Sequence, residues 1–271
     1  MYRAILHYDF VMLYRTMILE GIHTMAIVIT GGSKGIGRDV ALAFAEPGKT
    51  IVINFNSDGA SAEATAREVR DRGARTLVVQ ADAGTVEGCQ KIADAVRNDG
   101  ARVEMAVHCA VDAYAVPVLQ SDPARMARAV ETNSLSILYL VQTLDELLDR
   151  GSTIFFFTSR GGRIVVKNYA AIGVGKAATE ALIRYMATEL APRGIRINSI
   201  APSIVGTEAV RHIFGEDETR SLMDHARDSN PSGRAVEPRD YTEIIRFLAS
   251  PAAEFITGQV VFVNGGANLS A

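Results

Sequence analysis

The sequence predicts one α/β domain built on a doubly wound parallel sheet of seven strands, with helices on both faces. Three observations predict it. Short β-branched runs alternate with longer helical patterns from Met25 onward. A glycine-rich turn follows the first of those runs directly, and no linker, repeat or low-complexity stretch divides the 271 residues. The first strand is expected at 26–30, where Ala26-Ile27-Val28-Ile29 is unbroken apolar sequence. Strands of the same kind are expected at 50–54, 75–80, 105–109, 153–158, 196–200 and 259–263. Between them helical patterns run over 35–46, 60–72, 85–98, 123–150, 170–190 and 240–250, so each strand returns through a crossover. In such a sheet ligands gather at the carboxyl ends of the strands. The least regular stretch, 203–238, is rich in Gly, Pro, Asp and Ser and reads as a loop, either a substrate lid or ordinary surface.

Composition narrows the function. With 48% hydrophobic and 22% charged residues and a net charge of −3, the chain is globular and carries no basic field for nucleic acid. A small-molecule partner is expected instead. Cys89 and Cys109 have neither disulfide-framework nor metal spacing, and the histidines form no H-E-x-x-H pattern, so free thiols, a cytoplasmic location and no metal are expected. The first 24 residues are apolar but interrupted by His7, Asp9, Arg15 and Glu20, which excludes an export signal or a membrane span. They read as an extension to a domain of residues 25–271. It is either an added amphipathic helix or, the preferred reading, the product of an upstream start codon.

The turn reads Thr30-Gly31-Gly32-Ser33-Lys34-Gly35-Ile36-Gly37 and enters a helix at once. Strand, tight glycine turn and helix start are the order in which a Rossmann-type fold cradles a pyrophosphate, with the unpaired N–H groups of the helix start facing the anion. Cofactor type is read one strand later. The second strand ends Ile53-Asn54-Phe55-Asn56-Ser57, with no carboxylate for a ribose 2′-hydroxyl, while Lys34 adds a cation where a 2′-phosphate would lie. NADPH is the expected cofactor. The alternative has Lys34 solvated and Asp58 reaching back to the ribose.

Several separated pieces now make the chain resemble the short-chain dehydrogenase/reductase superfamily from Met25 to Leu269. They are the glycine turn, Asp82 after the third strand, Asn133, Ser159 after the fifth strand, Lys176, Arg196-Ile197-Asn198-Ser199-Ile200-Ala201-Pro202, Thr257-Gly258-Gln259 and Asn264-Gly265-Gly266. Together, the turn and the resemblance assign cofactor contacts to Gly31, Ser33, Lys34, Gly35, Ile36, Gly37, Asn56, Asp82, Lys176, Pro202 and Thr207. The resemblance further implies catalytic roles for Ser159, Lys176 and Asn133, the last holding a water that links the site to solvent. It also implies a homodimer or homotetramer paired through the two long helices.

The family's usual catalytic Tyr, four residues before the Lys, is Ile172 here, which can neither give nor take a proton. The family's Asn-Asn-Ala-Gly is His108-Cys109-Ala110-Val111, its Pro-Gly is Pro202-Ser203, and its Asp-Gly-Gly is Asn264-Gly265-Gly266. Tyr169 lies seven residues before Lys176 on the same helical face, about 10 Å along the axis against about 6 Å for the usual spacing. That spacing, with the His-Cys pair, resembles the type III enoyl-acyl-carrier-protein reductases.

Three functions follow from these residues. The preferred one is an NADPH-dependent ketone reduction on a bulky, polyketide-type metabolite, with the proton drawn from substrate or water. Loss of Tyr at 172 motivates it, as does the skew of 23 Arg to 5 Lys, which suits a GC-rich source. The first alternative is reduction of an enoyl thioester, free or carrier-protein-bound, with Tyr169 as proton donor. The second is NADPH binding without catalysis.

Overall fold

The computed structural model describes residues 24–267, so the expected extension lies outside the described residues except for Thr24. The sheet has seven parallel strands: β1 (Met25–Thr30), β2 (Thr50–Phe55), β3 (Arg75–Gln80), β4 (Arg102–His108), β5 (Leu148–Phe157), β6 (Arg196–Pro202) and β7 (Val260–Val263). Their order is β3-β2-β1-β4-β5-β6-β7. The order reverses between β1 and β4, which opens a crevice beyond their carboxyl ends.

Alternate residues of each strand feed two cores. Ile27, Ile29, Ile51, Ile53, Phe155 and Phe157 pack on one face against α1 (Gly35–Ala43), α2 (Gly59–Asp71) and α9 (Pro238–Ala249). Val28, Val52, Ala106, Ile154 and Phe156 pack on the other against α3 (Val86–Asn98), α5 (Ser136–Leu144) and α6 (Ala170–Leu190). Burial on both faces is why the strands are continuously apolar, each large side chain contributing roughly 1.5–3 kcal/mol.

Two expectations are corrected here. The single helix expected at 123–150 is α4 (Pro123–Ser134), α5 and then the start of β5. The hydroxyls of Ser134 and Ser136 donate to the carbonyls of Val130 and Thr132 at 2.6 Å each, a back-bonding that bends a helix, and the helix breaks between them at Leu135. The stretch 203–238, read as loop, is mostly helical, with α7 (Glu208–Phe214) and α8 (Glu216–Asp228). Thr207 caps α7 by accepting from the Val210 amide, and acidic residues fill the first turn of α8. No helix among the described residues is long and apolar enough to cross a membrane.

Candidate active site

The carboxyl ends of β1 to β4 open onto a cleft of about 790 Å³. Gly31 and Gly35 turn the chain at φ 63° and 55°, conformations that only glycine adopts without strain. A Cβ on Gly37 would lie 2.2 Å from the Gly31 carbonyl oxygen, so only glycine permits this turn to close on the helix. Lys34 stands at the N-cap of α1 with extended backbone and no capping side chain, leaving the helix's first N–H groups facing the cleft. Asn54 braces the turn, accepting from the Gly31 amide at 3.4 Å and donating to the Ala81 carbonyl at 2.9 Å. An uncapped helix start behind a glycine turn fits the pyrophosphate of a dinucleotide. Of the assigned cofactor residues, Gly31, Ser33 to Gly37, Asn56, Asp82 and Thr207 line the cleft; Pro202 and Lys176 do not.

Lys34 is not the free cation that the sequence suggests. Its ammonium lies 2.9 Å from the Asp58 carboxylate and 2.7 Å from that of Glu208. Asp58 caps α2, accepting from the Ser61 amide at 3.0 Å and the Ser61 hydroxyl at 2.7 Å. The Ser61 amide, then Lys34, hold its carboxyl well below the usual range. Glu208 comes from the first turn of α7, across the cleft.

Ser159, Tyr169, Ile172 and Lys176 lie past the ends of β5 and along α6. Tyr169 stands at the N-cap of α6 with its hydroxyl 3.3 Å from the Ser159 hydroxyl, which also accepts from the Gly161 amide at 3.1 Å. Its ring lies against Gly161, where a Cβ would come within 2.6 Å of Cε1. Burial raises the phenol pKa and the Ser159 contact lowers it, with a net rise. Ile172 is fully buried and offers no polar atom. Lys176 is buried and donates to the Phe157 carbonyl at 2.7 Å, with its ammonium 4.2 Å from the centre of the Phe156 ring. Burial lowers its pKa to about 8 against opposition from Cys109 and Glu180. Asn133 is fully buried, and both ends of its amide clamp the Asp112 backbone: Oδ1 accepts from the N–H at 3.0 Å and Nδ2 donates to the carbonyl at 2.9 Å. Gly175 lets α6 approach this clamp, since a Cβ there would lie 2.5 Å from the Asn133 Cβ.

A family model described as enoyl-(acyl carrier protein) reductase matches residues 31–268. A solved short-chain dehydrogenase/reductase from Brucella melitensis superposes with a TM-score of 0.81 at 26% identity, covering 92% of this chain and 98% of that one. The chain belongs to the short-chain dehydrogenase/reductase superfamily. It is thus an NAD(P)H-dependent oxidoreductase. The 1-cyclohexenylcarbonyl-CoA reductase of Streptomyces collinus is 31% identical over 90% of this chain and 87% of that protein. The structure of LugOII, a promiscuous reductase catalysing keto-reduction at C1 during lugdunomycin biosynthesis, has a TM-score of 0.80 at 25% identity, covering 92% of this chain and 99% of that one.

Near the site residues lie His108, from the His-Cys pair, and Glu180 and Asp112, which spacing did not single out. His108, at the end of β4, is buried against Phe156 with ring centroids 5.5 Å apart. Apart from its own backbone, neither ring nitrogen has a hydrogen-bond partner. Burial, and then the Lys176 charge, push its pKa down to about 3, so it is a neutral imidazole. The buried Glu180, one turn beyond Lys176, accepts from the Thr158 hydroxyl at 2.8 Å and from the Arg163 guanidinium at 2.9 Å, tying the loop after Ser159 to α6. Asp112 receives both forks of Arg125 at 2.5 Å. An acid one turn after the Lys is the legible signal for Glu180, and the His-Cys pair after β4 is the one for His108.

Proposed function

We propose that this reductase saturates the double bond of an enoyl thioester with NADPH, Tyr169 giving the proton to the enolate oxygen. The observation that carries the reading is the Tyr169 hydroxyl beside Ser159, with Ile172 inert at the usual Tyr position. This departs from the ketone reduction preferred on sequence alone. That preference rested on the loss of Tyr at 172 and on the Arg skew; the contact between the Tyr169 and Ser159 hydroxyls supports the enoyl route instead. The family description and the Streptomyces collinus relative support it.

Bound NADPH supplies the hydride, and everything else falls to the chain's side chains. Hydride addition at the β-carbon of an enoyl thioester moves the electron pair onto the thioester oxygen. A donor for that oxygen must stand farther from the hydride-accepting carbon than one for a ketone oxygen, and Tyr169 lies about one helical turn beyond the usual Tyr. The phenol donates to that oxygen, and the enol so formed tautomerises to the saturated thioester, losing the oxygen-bound proton as the α-carbon takes one from water. Ser159 holds the phenol in orientation, and the buried Lys176 ammonium stabilises the developing charge and would bind ribose hydroxyls. Carbonyl-anchored Lys176 and ring-seated Tyr169 are fixed before substrate arrives, which limits reorganisation. The cleft side chain Lys34 supports NADPH, with the 2′-phosphate as its counter-ion.

The protein is further proposed to be a cytoplasmic homo-oligomer. Cys89 and Cys109 are free thiols. Val174 and Tyr185, 51% and 72% exposed, share an outer face of α6 with Ala178 and Ala181, a stripe suited to a second copy of the same helix.

The test is Tyr169→Phe assayed on two panels, enoyl thioesters and polycyclic aromatic ketones, by NADPH consumption. The expected result is enoyl turnover in the parent, falling about 10²–10⁴-fold in kcat in the variant. Ketone turnover that survives the substitution overturns the reading in favour of the ketone route, for which Ser159 and Lys176 suffice and to which LugOII is the structural parallel.

A further inference from the structure

Lys34 is the cation on which the NADPH reading depends, yet two carboxylates already surround it. They are not equivalent. Asp58 is bound into the α2 cap through both oxygens, so its place beside Lys34 is set by the fold. Glu208 has a side chain 62% exposed, and among the described residues Lys34 is its one partner. It reaches the lysine from 174 residues away, across the mouth of the cleft.

The immediate neighbours make the contact a bridge. Thr207, next to Glu208, has its methyl carbon 3.1 Å from where a Cβ on Gly35 would stand, so α7 begins against the phosphate turn itself. Asp58, Lys34 and Glu208 all line the one cleft, together with Ala209 and His212 from α7. Counting formal charges, one lysine and two carboxylates leave the group at −1, which repels a phosphate of about −2 unless one acid withdraws. Asp58 is fixed; Glu208 is free to go.

We propose that Glu208 is a cofactor-specificity residue: its carboxylate occupies the place of the adenosine 2′-phosphate at Lys34 and is displaced by it. The inference rests on the NADPH reading above. A cofactor without the 2′-phosphate leaves the Lys34–Glu208 bridge closed, whereas NADPH replaces it with a lysine–phosphate pair and releases the start of α7. Glu208 thereby lowers affinity for the phosphorylated cofactor alone. It sets how strongly the two cofactors are discriminated, and Lys34 sets in which direction.

The experiment is calorimetric binding of 2′,5′-ADP and of ADP to the wild type, Glu208→Gln and Lys34→Ala. Glu208→Gln is expected to tighten 2′,5′-ADP about three- to tenfold, the effect of removing one nearby charge in a solvated cleft, while ADP changes less than twofold. Retained ADP binding reports an intact cleft. An unchanged or reduced preference for 2′,5′-ADP in Glu208→Gln overturns the inference and leaves the NADPH reading standing, provided the wild type prefers 2′,5′-ADP and Lys34→Ala loses that preference. A wild type that binds both probes equally, with Lys34→Ala changing neither, overturns the NADPH reading itself.

Discussion

At the scale of single residues the site is governed by burial. Lys176 sits in a protein interior that holds its pKa at about 8, below the ordinary 10.5. If its ammonium stabilises the enolate, kcat falls as pH rises through about 8, and a kcat–pH profile measured with saturating cofactor and substrate checks it. A flat profile across that range excludes the charge from the rate-limiting step. His108 supplies a contrasting case. Its folded pKa of about 3 lies below the ordinary 6.5, so the unfolded chain binds the extra proton between those values. Stability is therefore full above about pH 6.5 and is lost as pH falls toward 3. Two nitrogens without partners make the ring costly to bury, so His108→Phe, which keeps the packing on Phe156, should raise stability by about 1–2 kcal/mol and flatten the acid limb. Urea melts at several pH values measure both. A destabilised variant would mean that the imidazole nitrogens are hydrogen-bonded after all.

At the scale of elements, glycines decide where α6 lies. Gly161 seats the Tyr169 ring, Gly173 would carry a Cβ 2.5 Å from the Gly161 carbonyl oxygen, and Gly175 rests on Asn133. Gly161→Ala pushes on the ring, the movable partner, and kcat on enoyl thioesters is expected to fall about tenfold to a hundredfold with KM for cofactor nearly unchanged. Steady-state kinetics separate the two, and an unchanged kcat would show that the ring's seat is immaterial. The motif around Arg196 acts at the same scale. Its guanidinium donates to the carbonyls of Leu248, Ala249, Ser250 and Ala253 where α9 ends, and Asn198 accepts from the Gln259 amide at 2.9 Å beside β7. These residues carry part of the family resemblance, and in the fold they are fastenings. What periodicity missed were the break at Leu135 and the helices in 203–238. Two serine hydroxyls interrupt an apolar pattern that itself continues, and the polar composition of α8 hides a helix with one buried residue, Thr219.

At the scale of the whole molecule, the sheet order puts the glycine turn, the end of β2 and the start of α7 around one cleft while Tyr169 and Lys176 approach along α6. The outer face of α6 is the remaining feature of this size. Ala178→Glu places a charge in the Val174–Tyr185 stripe and is expected to convert the proposed homo-oligomer to smaller species in light scattering after size exclusion, with folding unchanged by circular dichroism. A parent that is already monomeric removes this interface.

The sequence by itself determined the alternation of strand and helix, the glycine turn, the resemblance to the superfamily and the loss of Tyr at 172, because each is written in local spacing and residue type. Only the tertiary structure decided that Tyr169 meets Ser159, that Asn133 is spent on Asp112, and that Lys34 is held by two acids. The physical reason is range. A turn or a helix face is settled within a few residues, but the charge on Lys34 depends on a carboxylate 174 positions away, brought near by the packing of two cores on one sheet.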